Sequence, residues 1–329
     1  MMNSEKISLQ GTIPAECAGM RLDQALAILF ADYSRARLQQ WLRDGQVLIN
    51  QAILRPRDKV AGGEEVVIQA LLVVQQDDKA EPIPLDIVYE DEAIIVLNKP
   101  AGLVVHPAAG NREGTMLNAL LHHAPELDKV PRAGIVHRLD KQTSGLLVVA
   151  RTLAAQKSLV EQLQAREFLR EYQAVVNGVM TAGGEVDVPI GRHPVQRKRM
   201  AVTPGGKPAV THYRVEKRFR AHTQVSLRLE TGRTHQIRVH MAHIRFPILG
   251  DPVYGGRLRL PPQSSEALIE MLRGFKRQAL HAARLGLQHP LRDEFMSWEA
   301  PLPEDMCGLL AALEEDMKIH QAEAIRLGK

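Results

Sequence analysis

One carboxylate stands alone in a setting where it could do chemistry. Asp140 lies in the run IVHRLDKQTSGLLVVAR (Ile135–Arg151), at the end of the charged turn His137-Arg138-Leu139-Asp140. Ile135-Val136 leads into the turn, and Leu146–Ala150 leads out after Thr143-Ser144-Gly145. The apolar exit run, bounded by a glycine and charges, predicts a strand buried on both faces. A carboxylate at the tip of such a strand has a rigid base and a head among the loops, where reactive groups collect. Taken alone, Asp140 could instead tie down its turn by accepting backbone N–H groups, as Asp commonly does.

A lone carboxylate can act as a nucleophile on a glycoside. Two-carboxylate hydrolysis needs a second acid, and none is evident near Asp140 or near Arg233, so a glycosidic rearrangement without water suits the residues better. Other classes fall away. Thr203–Pro208 (TPGGKP) lacks the spacing and the hydroxyl of a phosphate-cradling P-loop. There is no GxSxG elbow, no HExxH pair and no zinc-deaminase ligand set. His235, His240 and His243 invite a metal, but no acid completes the set and Arg238 would repel a cation. Neither metal nor cofactor is expected.

The elements that must position these groups can be read in outline. Residues 1–15 carry no functional signal. Leu22, Leu26, Ile28 and Leu29 have helical spacing, and Ser34 reads as the N-cap of a second helix with Leu38, Trp41 and Leu42 on one face and Gly45 as its stop. Two short strands, QVLIN and EEVVIQA, complete a module of residues 1–74. Arg35 and Arg37, near the start of the second helix, are its candidate phosphate contacts. Residues 75–86 form a polar, acidic linker with two prolines. The second domain, 87–329, opens with two strands around Glu90-Asp91-Glu92 and reaches Lys99 and His106, which lie in segments that could line a cleft. A helix precedes the central stretch; another follows it, then a strand carrying Tyr172. Arg233 sits at a strand-to-helix corner, and an amphipathic helix ends the chain.

Composition sets the bounds. The 329 residues, 45% hydrophobic and 24% charged, fit a soluble protein of two or three domains. Apolar runs stay short of the ~18 residues of a membrane span, and no secretory signal opens the chain. Cys17 and Cys307, with no CxxC, fit a reducing cytoplasm. The net charge is +4, yet residues 192–220 hold nine Lys/Arg against Glu216 alone, so this segment is +8 and the remainder −4. Such a stripe is the footprint expected for a phosphate backbone, with Arg197, Lys198 and Arg199 as its densest part. Aromatic residues are only 4%, which argues against a binder built on rows of stacking rings.

Two resemblances follow from these residues. Arg21-Leu22-Asp23, Ser34-Arg35, Gly45, Val47–Asn50, and Gly63 before Val66-Val67-Ile68 resemble the S4 RNA-binding module, which adds Arg21 to the RNA contacts. NKPAGLVVHP (98–107), HRLDKQTSGLLVVAR (137–151), REYQAVVNG (170–178) and LETGRTHQIRVHMAH (229–243) resemble, in order, the motifs of the RluA family of pseudouridine synthases. These enzymes isomerise uridine in RNA from an N-glycoside to a C-glycoside. The resemblance implies an α+β fold, a mixed, largely antiparallel bent sheet with flanking helices and a central cleft, behind a small S4-like α/β module. It implies that Asp140 is the nucleophilic carboxylate, that Arg233 pairs with it, and that Tyr172 lies against the uracil and takes part in proton removal. Ile237 is implied to pack on the base, Arg138 to take the place of the extruded base, and His137 and Lys99 to flank the substrate. Extrusion is needed because the glycosidic carbon is out of reach in a stacked helix. The match is best to the branch acting on 23S ribosomal RNA, which implies the loop of helix 69 as target, a role in large-subunit maturation, and a cytoplasmic monomer.

Overall fold

The computed structural model describes residues 4–30, 33, 35–73, 79–108, 110–196, 199–258 and 260–326. They fall into two compact units, 1–77 and 78–329. The first contains β1 (Ser4–Thr12), α1 (Leu22–Leu29), α2 (Arg35–Arg43), β2 (Val47–Ile49) and β3 (Glu65–Val73). Its antiparallel sheet has the order β1-β3-β2. Leu22, Leu26, Leu38, Trp41 and Leu42 of the helices bury against Val47, Ile49, Val66 and Ile68 of the sheet. Gly45 ends the second helix with a φ of +70°, a conformation glycine adopts freely. Ser34, expected as the N-cap, lies outside the described residues. The first strand falls where the sequence offered no functional signal; Ile7 and Leu9 alternate at the strand period and pack on the core.

In the second unit the chain enters through residues 79–86, which hydrogen-bond into it: Asn118 donates to the Lys79 carbonyl at 2.8 Å, and Glu81 N to the Asn118 carbonyl at 3.0 Å. Then follow β4 (Ile87–Glu90), β5 (Ile94–Lys99), α3 (Met116–His123), β6 (Ser144–Ala150), α4 (Leu153–Ala165) and β7 (Leu169–Asn177). Next come β8 (Gly184–Asp187), β9 (Ile190–Arg192), β10 (Met200–Val202), β11 (Val210–Arg218) and β12 (His222–Leu229). The chain continues with α5 (Gln236–His243), α6 (Glu266–Gly274), β13 (Leu280–Gln288), β14 (Phe295–Glu299) and α7 (Glu304–Arg326). One mixed sheet runs β4-β5-β6-β13-β7-β12-β11-β8, with β14 also paired to β13. Only the β6–β13 pairing is parallel. Strands β9 and β10 form a separate hairpin.

All seven residues of β6 are buried, because the sheet is covered on both faces there. Leu147 and Val149 face a core with Met116 and Leu120 of α3, while Leu146 and Val148 face Ala155 and Leu159 of α4. That two-sided cover explains the unbroken apolar run. Ile135-Val136 differs from expectation: Ile135 makes an isolated bridge to Val149, after a 3₁₀ turn, rather than a strand. Gly145 allows β6 and β13 to meet. Its φ is +111°, and a Cβ there would lie 2.5 Å from the Ala282 nitrogen. No helix among the described residues is long and apolar enough to cross a membrane.

Candidate active site

Four segments line one cavity of about 570 Å³: the turn His137–Asp140, the end of α4, the start of β7 with Arg170 and Tyr172, and the corner from Leu229 to Arg238. Asp140 stands at the end of its turn, 17% exposed, ahead of the fully buried β6. The peptide following it is held from two sides. Lys99 Nζ donates to the carbonyls of Lys141, Pro100 and Leu103 at 2.8–3.2 Å. From the other side Arg277 donates to the Gln142 carbonyl at 3.3 Å, Gln278 to Thr143 Oγ1 at 3.1 Å, and Ser144 Oγ lies 2.9 Å from His281 Nδ1. The base beneath Asp140 is therefore rigid.

The carboxylate itself turns to the corner helix. Oδ2 accepts from Arg238 Nη1 at 2.8 Å, and Oδ1 faces His235 Nε2 at 3.8 Å. Arg238, not Arg233, is thus the guanidinium paired with Asp140. Arg233 still lines the cavity, but its Nε donates to the Pro208 carbonyl at 3.0 Å. The difference lies in the corner: Gln236 accepts from Thr231 Oγ1 and Arg233 N, and donates to Val210 O and Thr211 Oγ1. This lock leaves Arg233 in the turn and carries Arg238 one step into α5, facing Asp140.

Arg238 is anchored in turn by Asp251, through Nε–Oδ2 at 2.7 Å and Nη2–Oδ1 at 2.9 Å. Asp251 also accepts from the backbone of Val253 and Tyr254. Burial works against the charge on Arg238, but Asp251 and then Asp140 outweigh it and raise its pKa. For Asp251 burial pushes the carboxyl up, and Arg238 brings it below the ordinary carboxylate range. Tyr254 packs between Arg238 and Arg199, 5.0 and 5.2 Å from its ring centre, and its hydroxyl lies 2.8 Å from His235 Nδ1. His235 adopts a left-handed φ of 57° at the N-cap of α5, a strained position for a side chain with Cβ. Burial holds its imidazole below the usual range, with Asp140 opposing.

Tyr172 and Ile237 are buried side chains of the cavity lining, 7% and 4% exposed. Burial raises the Tyr172 pKa and Arg170 only partly offsets it, so the phenol is protonated at neutral pH. Arg138 is exposed at the cavity. His137 lines it too, but its Nε2 accepts the Val148 N–H at 3.1 Å, and burial lowers its pKa to about 3. It anchors the turn to β6. Lys99, expected beside the substrate, is 1% exposed and outside the lining, because its three N–H groups serve the three carbonyls below the turn. Burial takes its pKa down to about 7, with Asp140 opposing. Arg238, Asp251, Tyr254 and Arg170 were not singled out as site residues from the sequence, and His235 only as a candidate metal ligand; Arg170 opens REYQAVVNG, His235 and Arg238 lie in THQIR, and Asp251 and Tyr254 lie in the loop 250–256.

The candidate RNA contacts divide. In the first unit the wholly buried Asp23 carboxylate receives Arg21 Nε at 2.9 Å and Arg35 Nε at 2.9 Å, and presents both half-exposed guanidiniums to solvent. Burial pushes Asp23 up, but Arg21, Arg35 and Gln39 bring its pKa down to about 2. The Arg37 side chain lies outside the described residues, as do Arg197 and Lys198. Arg199 is committed to Tyr254, Gln196 and the Val253 carbonyl. The rest of the basic stripe is largely tied down. Arg214 pairs with Glu216, Lys217 with Glu314 and Arg220 with Asp316, while Arg218 donates to the carbonyls of Met180 and Thr181. Half of what reads as a phosphate footprint is a set of internal bonds to α7 and the neighbouring loops.

Comparison with known proteins agrees with this arrangement. Residues 93–243 match the family model described as RNA pseudouridylate synthase, and 20–66 match the S4 domain. The chain is 57% identical over 321 residues to ribosomal large subunit pseudouridine synthase D of Escherichia coli (strain K12), covering 97% of this chain and 98% of that one. To the protein of the same name from Pseudomonas aeruginosa it is 57% identical over 313 residues, 95% of this chain and 98% of the relative. Among solved structures, human RNA pseudouridylate synthase domain containing 4 aligns with a TM-score of 0.55 and 28% identity, over 70% of this chain and 93% of that one. This likeness over nearly the whole chain, with an S4 domain ahead of a cavity that holds Asp140, assigns the chain to the RNA pseudouridylate synthase family.

Proposed function

We propose that this chain converts uridines in the helix 69 loop of 23S ribosomal RNA to pseudouridine, with Asp140 as the essential carboxylate. The family supplies the reaction class, and the relatives' names point to the large ribosomal subunit. The observation that carries the residue assignment is Asp140 itself: one oxygen is bound to Arg238, and the residue lines a cavity together with Tyr172 and Ile237. Arg238 gives one oxygen of the carboxylate a charged, fixed donor and so holds its orientation. In this reading RNA docks on the first unit and the β9–β10 hairpin, the uridine leaves its stack, and Arg138 takes its place. Unstacking costs a few kcal/mol and is least in a loop. The N1–C1′ bond breaks, the uracil turns, and C5 bonds to C1′. N1 then carries the proton that C5 gives up, so no water enters and nothing is lost. The protonated Tyr172 suits packing and hydrogen bonding to the base better than taking a proton. The reading includes action as a cytoplasmic monomer, in support of large-subunit maturation.

The test is pseudouridine mapping on 23S rRNA, free and in ribosomal particles, with the wild-type protein and Asp140→Asn. New pseudouridine in helix 69 with the wild type alone supports the reading. Full activity of Asp140→Asn would sink it, and modification at other sites only would move the target.

A further inference from the structure

Arg170 is a cation that the proposed reaction leaves without a task. It is 6% exposed, yet it borders the cavity, two residues before Tyr172 on the same face of β7. Among the described residues its side chain makes one hydrogen bond, from Nη2 to the Glu230 carbonyl at 3.0 Å, and its buried Nε has no partner. The nearby Glu230 carboxylate is taken by Arg166 at 3.0 Å and His212 at 2.8 Å. Nη1 lies against Gly232, another residue of the cavity lining, where a Cβ would stand 2.8 Å from it. Arg233, the other guanidinium on this wall, likewise has no acid among the described residues, since its Nε bonds the Pro208 carbonyl. Burial and Arg233 both depress the charged form of Arg170.

A guanidinium withheld from water with only a neutral acceptor destabilises the folded protein unless an anion arrives later. We infer that Arg170, with Arg233, forms an anion subsite for a backbone phosphate of the flipped nucleotide, an inference that rests on the cavity being a uridine pocket. Two residues along a strand are roughly 7 Å apart, on the order of the reach from a nucleotide's base to its phosphate. A base held at Tyr172 therefore places its phosphate near Arg170. A uracil carbonyl would supply a hydrogen bond but not the missing charge.

The experiment uses RNA stem-loops carrying one neutral methylphosphonate linkage beside the target uridine. Binding is measured to Asp140→Asn and to Asp140→Asn/Arg170→Met, so that affinity is read without turnover. Neutralising the right phosphate is expected to weaken binding about tenfold or more. Arg170→Met should do the same and flatten the salt dependence by about 0.7–0.9 of a unit. The two losses should not add, because each removes the same contact. Additive losses overturn the subsite. Should Arg170→Met fail to fold, the linkage scan on Asp140→Asn alone decides: no sensitive phosphate beside the uridine overturns it. Conversion of unmodified RNA by the otherwise wild-type chain tests the underlying reaction separately.

Discussion

Arg238 gives Asp140 a single N–H at 2.8 Å and commits two other nitrogens to Asp251. The guanidinium is therefore a fixed clamp rather than a mobile counter-ion, and Asp140 keeps one oxygen clear of any close donor. Removing Arg238 strands the buried Asp251 and the partly exposed Asp140. Arg238→Met is expected to lower kcat by about 100-fold or more, with RNA affinity little changed. Arg233→Met should instead raise KM more than it lowers kcat. Single-turnover kinetics beside binding isotherms separate the two, and the reverse pattern would return the pairing to Arg233.

The Asp23 cluster predicts a pH dependence of stability in the first unit. Its carboxyl titrates at about 2 in the folded chain against 3.8 ordinarily. The unfolded state thus binds the proton first as acid is added. The stabilisation is complete above pH 3.8 and is lost as pH falls toward 2. Trp41 fluorescence, read against pH, should show the unit loosening in that window. Asp23→Asn should destabilise it at neutral pH and flatten the acid limb.

The divided basic stripe predicts divided phenotypes. Arg220→Ala breaks a bond to the buried Asp316, so it should lower Tm and leave the salt slope of RNA binding unchanged. Arg197→Ala with Lys198→Ala should leave Tm within a degree or two and reduce the slope by about 0.7–0.9 per lost phosphate contact. Thermal melts and titrations at several salt concentrations check both.

Gly145→Ala should cost more than about 2 kcal/mol, since its Cβ meets the backbone of Ala282 in the partner strand. Gly145 lies in β6, the strand that follows the Asp140 turn, so the displacement reaches that turn. Denaturant unfolding should report the loss, and activity should fall with it.

Asp140 was legible because everything that marks it is local: a charged turn, a glycine and one apolar strand. Most helices of both units were legible for the same reason, but α6 (Glu266–Gly274) was not anticipated. Arg238 was not, because THQIR and TGR offer two arginines five residues apart, and only the Gln236 lock decides which one faces the carboxylate. Asp251 lies in a stretch that reads simply as loop, and its meaning comes from a helix packed across from it. Strand β11 hid in the basic stripe because its outward residues are polar, and its role as an inner strand between β12 and β8 depends on pairing alone. Lys99 misled in the opposite direction: a lysine in a cleft-forming segment turned out to be buried on three carbonyls.

Strand β13 also sets an order of events. Formed by residues 280–288, it lies between β6 and β7, which belong to 144–177. The halves of the sheet that carry Asp140 and Tyr172 meet only through this late segment. During synthesis the first unit can fold while the ribosome is still making the second. The catalytic half must wait with its central edges open until nearly the whole chain has emerged. The S4 unit can thus be complete before the pocket exists, and a chain ended between the close of the first unit and residue 280 keeps that unit with no assembled pocket.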